Sequence, residues 1–104
     1  MNESALVKIC ILWLGYKRIF CYRQNSGAGI TPSGRFIRYG KVGSPDIIAV
    51  IGGKYIGIEC KIGKGRQSPS QIEFQEKLEN AGGEYWIVRQ LEDLEGIIKG
   101  REVK

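Results

Sequence analysis

Asp46-Ile47-Ile48-Ala49-Val50-Ile51-Gly52-Gly53-Lys54-Tyr55-Ile56-Gly57-Ile58-Glu59-Cys60-Lys61 decides the fold. Two β-branched apolar runs flank a Gly-Gly pair, the signature of a tight hairpin. The reading gives strands from Asp46 to Ile51 and from Tyr55 to Ile62. Antiparallel return brings Asp46 back beside Glu59. Side chains alternate along a strand, so Glu59 and Lys61 share one face and Cys60 turns to the other. Two carboxylates and an ammonium thus meet at a sheet end. That donor set suits a hard dication such as Mg2+ or Mn2+, which keeps several waters and needs one or two protein carboxylates. Asp46 and Glu59 are the carboxylate ligands on this reading, and the Cys60 carbonyl is a third oxygen. Lys61 can orient a water or offset charge building on a phosphate. The plainer alternative makes Asp46 a turn residue after Pro45 and leaves the others as polar strand-end groups.

Working outward, the Gly, Ser and Pro density of residues 25 to 34 reads as a loop. The segment Arg35-Phe36-Ile37-Arg38-Tyr39-Gly40-Lys41 interleaves aromatics with cations and is read as a mobile basic segment that grips a phosphate backbone. Ile19 to Gln24 has strand composition. Ahead of it, Leu6, Ile9, Cys10, Trp13 and Leu14 form one apolar stripe, predicting a helix from Glu3 to Leu14 stopped by Gly15. After the hairpin, Lys64 and Arg66 lie in a flexible basic loop. Ser68-Pro69-Ser70-Gln71 has the pattern of a capping box, opening a helix that runs to Ala81 and ends at Gly82 or Gly83. Glu84 to Val88 is a strand, and Leu91 to Lys99 a short helix stopped by Gly100. The order is αβββαβα in one domain spanning 1-104, an α/β fold with a mixed central sheet flanked by helices.

Composition narrows the chemistry. The 104 residues contain no histidine, which removes a histidine general base, His-ligated zinc and a Ser-His-Asp triad. The three cysteines form no CxxC pair and read as reduced apolar residues of a cytoplasmic protein. The apolar run Ala5 to Leu14 is too short to span a bilayer, so no membrane is expected. The net charge of +5 is uneven: no acid lies between Glu3 and Asp46, whereas acids predominate beyond Gln67. A basic half is the layout expected for an anionic polymer, and it is also compatible with a solvated charged surface. Arg23, Arg35, Arg38, Lys41, Lys64 and Arg66 are the candidate backbone-binding residues. Gly43 would allow a backbone or a phosphate to come close, or is an ordinary turn glycine.

Pro45-Asp46 followed by Glu59-Cys60-Lys61 resembles the PD-(D/E)XK nuclease signature. Arg23-Gln24-Asn25-Ser26-Gly27, Gly40-Lys41-Val42-Gly43-Ser44-Pro45-Asp46-Ile47-Ile48, Ser68-Pro69-Ser70-Gln71 and Gly82-Gly83-Glu84-Tyr85 are similar to the virus-type replication-repair nuclease (VRR-NUC) domain. The resemblance covers nearly the whole chain and implies a restriction-endonuclease-like αβββαβ core. It also implies a Mg2+- or Mn2+-dependent DNA endonuclease of a bacterial or phage-infected cell, with Asp46 and Glu59 as metal ligands and Lys61 as catalytic lysine. Glu3 matches an acid that holds a metal-bound water, or is a helix N-terminal acid favoured by the dipole. Gln71 matches a helix glutamine near the catalytic site, or only caps its helix. Stand-alone members of the family resemble Holliday junction resolvases, which implies a homodimer on branched DNA. The other readings are a flap or nicking nuclease within a larger repair or packaging complex, a DNA-binding module without chemistry, and RNA cleavage.

Overall fold

The computed structural model describes residues 1–24 and 27–102; side chains at 27, 28, 38, 39 and 102 lie outside the description. The element order is α1 (Glu3–Tyr16), β1 (Phe20–Arg23), β2 (Gly27–Ile30), β3 (Phe36–Tyr39), β4 (Ile47–Ile51), β5 (Lys54–Cys60), α2 (Pro69–Asn80), β6 (Glu84–Val88) and α3 (Leu91–Glu102). A mixed four-stranded sheet runs β1-β4-β5-β6. Its first two pairings are antiparallel and the last, after the α2 crossover, is parallel. The hairpin register sets Ile47 against Ile58 and Ile51 against Lys54.

Strand alternation sorts the sheet into two faces. Ile47, Ala49, Ile56, Ile58, Cys60, Trp86 and Val88 face a core closed by Leu6, Val7, Cys10 and Leu14 of α1 and by Leu94 and Ile98 of α3. Trp13 packs partly buried against the same cluster, so both tryptophans belong to the core. The opposite face carries Tyr55, Gly57, Glu59 and Tyr85, and α2 lies across its β6 side. There Leu78 approaches the backbone of Gly57 and Gly83. Among the described residues no helix is long and apolar enough to cross a membrane.

Three local expectations are corrected. Gly15 does not stop α1, which continues to Tyr16. The stop is a Schellman motif built on Arg18, whose φ is 60°. Arg18 N–H donates to the Gly15 carbonyl and Ile19 N–H to the Leu14 carbonyl, both at 2.9 Å. Apolar Ile19 is drawn under the helix, and that burial holds a non-glycine residue in the left-handed region. Gly100 likewise lies inside α3, whose two further residues remain helical. The expected loop contains β2, and the expected mobile segment contains β3. The two pair antiparallel with Ile30 opposite Phe36; Asn25 and Ser26 lie outside the described residues.

Arg18→Gly is expected to raise stability by about 0.5–1 kcal/mol, because glycine adopts this conformation without the Cβ penalty. A melting curve checks it; an unchanged or lower midpoint contradicts the Schellman assignment.

Candidate metal and active centre

The centre forms where β4 begins and β5 ends. Pro45 is fully buried and lies against Gly57, where an added Cβ would stand 2.7 Å from the proline Cγ. A glycine in mid-strand thus makes room for the ring, and the ring sets the position of the next residue. The Asp46 carbonyl accepts the Gln24 N–H at 2.7 Å, which extends the β1–β4 ladder by one rung. Asp46 Oδ2 accepts the Cys60 N–H at 2.8 Å. The N–H and C=O of a strand residue project to the same side, so the Cys60 carbonyl is directed toward Asp46 as well. The Cys60 side chain is in the core, as alternation requires.

Glu59 is 2% exposed and held at both oxygens. Its Oε2 accepts from Gln71 Nε2 at 3.2 Å and lies 3.7 Å from Lys61 Nζ. Its Oε1 accepts from the Tyr85 hydroxyl at 3.5 Å. Gln71 performs both functions considered for it. Its Oε1 accepts the Ser68 N–H at 2.8 Å, closing the capping box, while its Nε2 reaches Glu59. Only one orientation of the amide satisfies both partners, since the acceptor end must meet an N–H and the donor end a carboxylate.

Burial, reinforced by the adjacent Asp46 charge and opposed by Lys61, pushes the Glu59 carboxyl up to about 8. Two acids beside one ammonium leave the cluster short of positive charge, which a dication in contact with both would supply. The donor chemistry therefore fits Mg2+ or Mn2+: two carboxylates and a main-chain carbonyl, all hard oxygens. Glu3 is exposed at the start of α1, near enough for its charge to act on Glu59. Among the described residues, however, no three Asp, Glu or Cys side chains gather into one ligating group.

A carboxyl titrating above its unfolded value binds a proton more tightly when folded. Its contribution to stability is fully present below about pH 4.5 and is lost as pH rises through about 8. In EDTA the melting temperature should therefore fall between pH 5 and 9, Glu59→Gln should flatten that fall, and Mg2+ should restore most of it at pH 8. A midpoint that responds to neither Glu59→Gln nor Mg2+ counts against a shared cation at this pair.

Two residues to which no site role was assigned bear on the centre: Tyr85, quoted above only within the Gly82-Gly83-Glu84-Tyr85 stretch, and Arg89. Tyr85 is buried; burial, then the Glu59 charge, push its phenol well above the ordinary value. Its signal was parity: β6 runs parallel to β5 with Tyr85 level with Gly57, on the Glu59 face, and a buried tyrosine hydroxyl needs a partner. Arg89 donates from one guanidinium nitrogen to the carbonyls of Gly63 and Gly65, each at 2.9 Å, pinning the loop that follows Lys61.

The basic candidates are more dispersed. Arg23 ends β1 and reaches the Ser4 hydroxyl at 3.4 Å. Arg35 precedes β3, Lys64 and Arg66 are exposed on the pinned loop, and Lys41 borders a groove with Ser70 and Phe74. The side chain of Arg38 lies outside the described residues. Gly43 has φ +82° and backs onto α2: an added Cβ would come 2.3 Å from the Ser70 carbonyl oxygen. The close approach expected there is made by the protein's own backbone.

Compared with known proteins, the chain matches no family model and no curated protein. The geometry of the centre stands as the basis for function.

Proposed function

We propose that this chain is a divalent-metal-dependent DNA endonuclease of the PD-(D/E)XK type, related to the VRR-NUC group, with a restriction-endonuclease-like core. The observation that carries the reading is the convergence of Asp46, Glu59 and Lys61 on one sheet face, with both carboxylates fixed by partners. A mixed sheet of order β1-β4-β5-β6, with a parallel last strand after a helical crossover and helices at its faces, supports the reading.

Asp46, Glu59 and the Cys60 carbonyl would hold Mg2+ or Mn2+, which when bound supplies an activated water and offsets charge on the scissile phosphate. Lys61 stands 3.7 Å from Glu59 Oε2, placed to orient the water or to donate to a phosphate oxygen in the transition state. Gln71 and Tyr85 keep Glu59 from turning away. Hydrolysis adds water across the P–O bond and leaves one phosphomonoester and one hydroxyl end.

Branched DNA and a homodimer complete the proposal. Phe20, Val50 and Tyr55 form a cross-strand row on the same sheet face as α2, running from the helix toward the β1 edge, at 66%, 40% and 40% exposure. An apolar row of this kind is a surface that a second copy would cover.

Cleavage of a panel of four-way junctions, flaps, nicked and linear duplexes, with Mg2+, with Mn2+ and with EDTA, tests the reading. Paired incisions in the junction that require the cation are expected. Cleavage of flaps alone by a monomer overturns the pairing, and binding without cleavage under either cation overturns the nuclease.

A further inference from the structure

The paired strands β2 and β3 form an arm that the main sheet does not absorb. They constitute a separate two-stranded sheet and, among the described residues, pack chiefly against each other. The turn at the tip is tightly built. Thr31 N–H donates to the Arg35 carbonyl and Gly34 N–H to the Thr31 carbonyl, each at 2.8 Å, while Arg35 N–H donates to the Thr31 hydroxyl at 3.0 Å. Just above this turn, Ile30 and Phe36 face each other across the strands at 73% and 62% exposure. A hydrogen-bonded tip thus carries a large, mostly exposed apolar pair.

Both ends of the arm are tied to the catalytic region. It leaves after Gln24, whose N–H is bonded to the Asp46 carbonyl. It returns through Gly43, seated on the Ser70 carbonyl, into Ser44-Pro45-Asp46. Its charge has one sign: no acid occurs from Ser4 to Pro45, Arg35 adjoins Phe36, and Arg23 and Lys41 flank the base.

We propose that this arm is a wedge for branched DNA: its cations follow the backbone while the Ile30–Phe36 pair enters between bases that a branch leaves poorly stacked. The inference rests on the nuclease reading for the identity of the polymer. Apolar side chains inserted at base steps are a recurrent way of holding distorted duplexes, and the cost of unstacking is least where stacking is already broken. A protein partner of matching shape would need acidic groups to meet Arg35 and its neighbours. DNA supplies that charge along its whole length and offers an apolar base face beside it.

The test is binding in EDTA, so that cleavage plays no part, to a four-way junction carrying 2-aminopurine at the branch and to a linear duplex of the same sequence. The wild-type protein should raise 2-aminopurine emission at the branch and leave the linear duplex unchanged. Ile30→Ser combined with Phe36→Ser should lose the rise and weaken junction binding about tenfold, the scale of one lost base-stacking contact. Phe36→Tyr should keep both, and circular dichroism with a melting curve verifies that the double variant is folded. If the double variant does not fold, Phe36→Asp alone replaces it and the same loss is expected.

Wild-type binding without a rise in emission overturns the wedge and leaves the nuclease intact. A rise that survives the double substitution also overturns it. So does conversion of a dimer to a monomer by the double variant with the emission unaltered, because the tip then covers a second copy. Branch-specific emission from a wild-type protein that never cleaves with Mg2+ or Mn2+ upholds the wedge and defeats the nuclease reading.

Discussion

Asp46→Asn should lower cation-dependent DNA cleavage by about a thousandfold or more while the protein still folds and still binds DNA. The substitution is nearly isosteric, and the amide oxygen can go on accepting the Cys60 N–H that Asp46 Oδ2 accepts at 2.8 Å. What it removes is one of the two carboxylate charges. It also removes one of the influences that raise the Glu59 carboxyl, so Glu59 should ionise at lower pH in the variant. Calorimetric titration with Mn2+ gives the decisive comparison. Asp46→Asn should lose cation binding and cleavage together, whereas Lys61→Ala should lose cleavage and keep the cation. Full activity in Asp46→Asn would remove the carboxylate pair from the mechanism. Cation binding unaffected in Asp46→Asn and lost in Lys61→Ala would reverse the assigned roles.

Gly43→Ala should be the most destabilising single-methyl change among those considered. The residue has φ +82°, and the new Cβ would stand 2.3 Å from the Ser70 carbonyl oxygen and 2.6 Å from its carbon. Neither atom belongs to a flexible side chain; both are backbone in the first turn of α2. Left-handed strain and the backbone collision together cost about 3–5 kcal/mol, equivalent to roughly 15 °C or more in the melting midpoint of a domain this size. Gly34→Ala is the control. Its φ is +86° but nothing lies within 4 Å of the added methyl, so only the conformational strain of about 1 kcal/mol remains. Equal midpoints for the two variants would show that the contact with Ser70 is not needed. The damage should also reach the centre, since a displaced first turn carries Gln71 away from Glu59.

The elements most legible in the sequence were those whose apolar period and punctuation agree. The Gly52-Gly53 hairpin, the Ser68 capping box and the Glu84–Val88 strand lie within a residue or two of expectation. The convergence of Asp46 with Glu59 followed from the hairpin register alone. Glycine-rich stretches were less readable. Gly27-Ala28-Gly29-Ile30 has poor strand propensity, and it is paired because a tight turn and the cross-strand Ile30–Phe36 pair hold it. Gly15 looked like a helix stop, yet the stop was fixed by where Ile19 could be buried, a tertiary preference invisible to local pattern. The roles of Tyr85 and Arg89 escaped because their partners, Glu59 and the carbonyls of Gly63 and Gly65, are more than twenty residues away in the chain.

The shared amide of Gln71 has a consequence for dynamics. One side chain closes the first turn of α2 and steadies the acid, so the helix cannot fray at its start without releasing Glu59. Local order and chemical readiness then rise and fall together. Slow amide exchange at the first turn of α2 would report a primed centre, and a solute that loosens that turn would silence it without touching an acid.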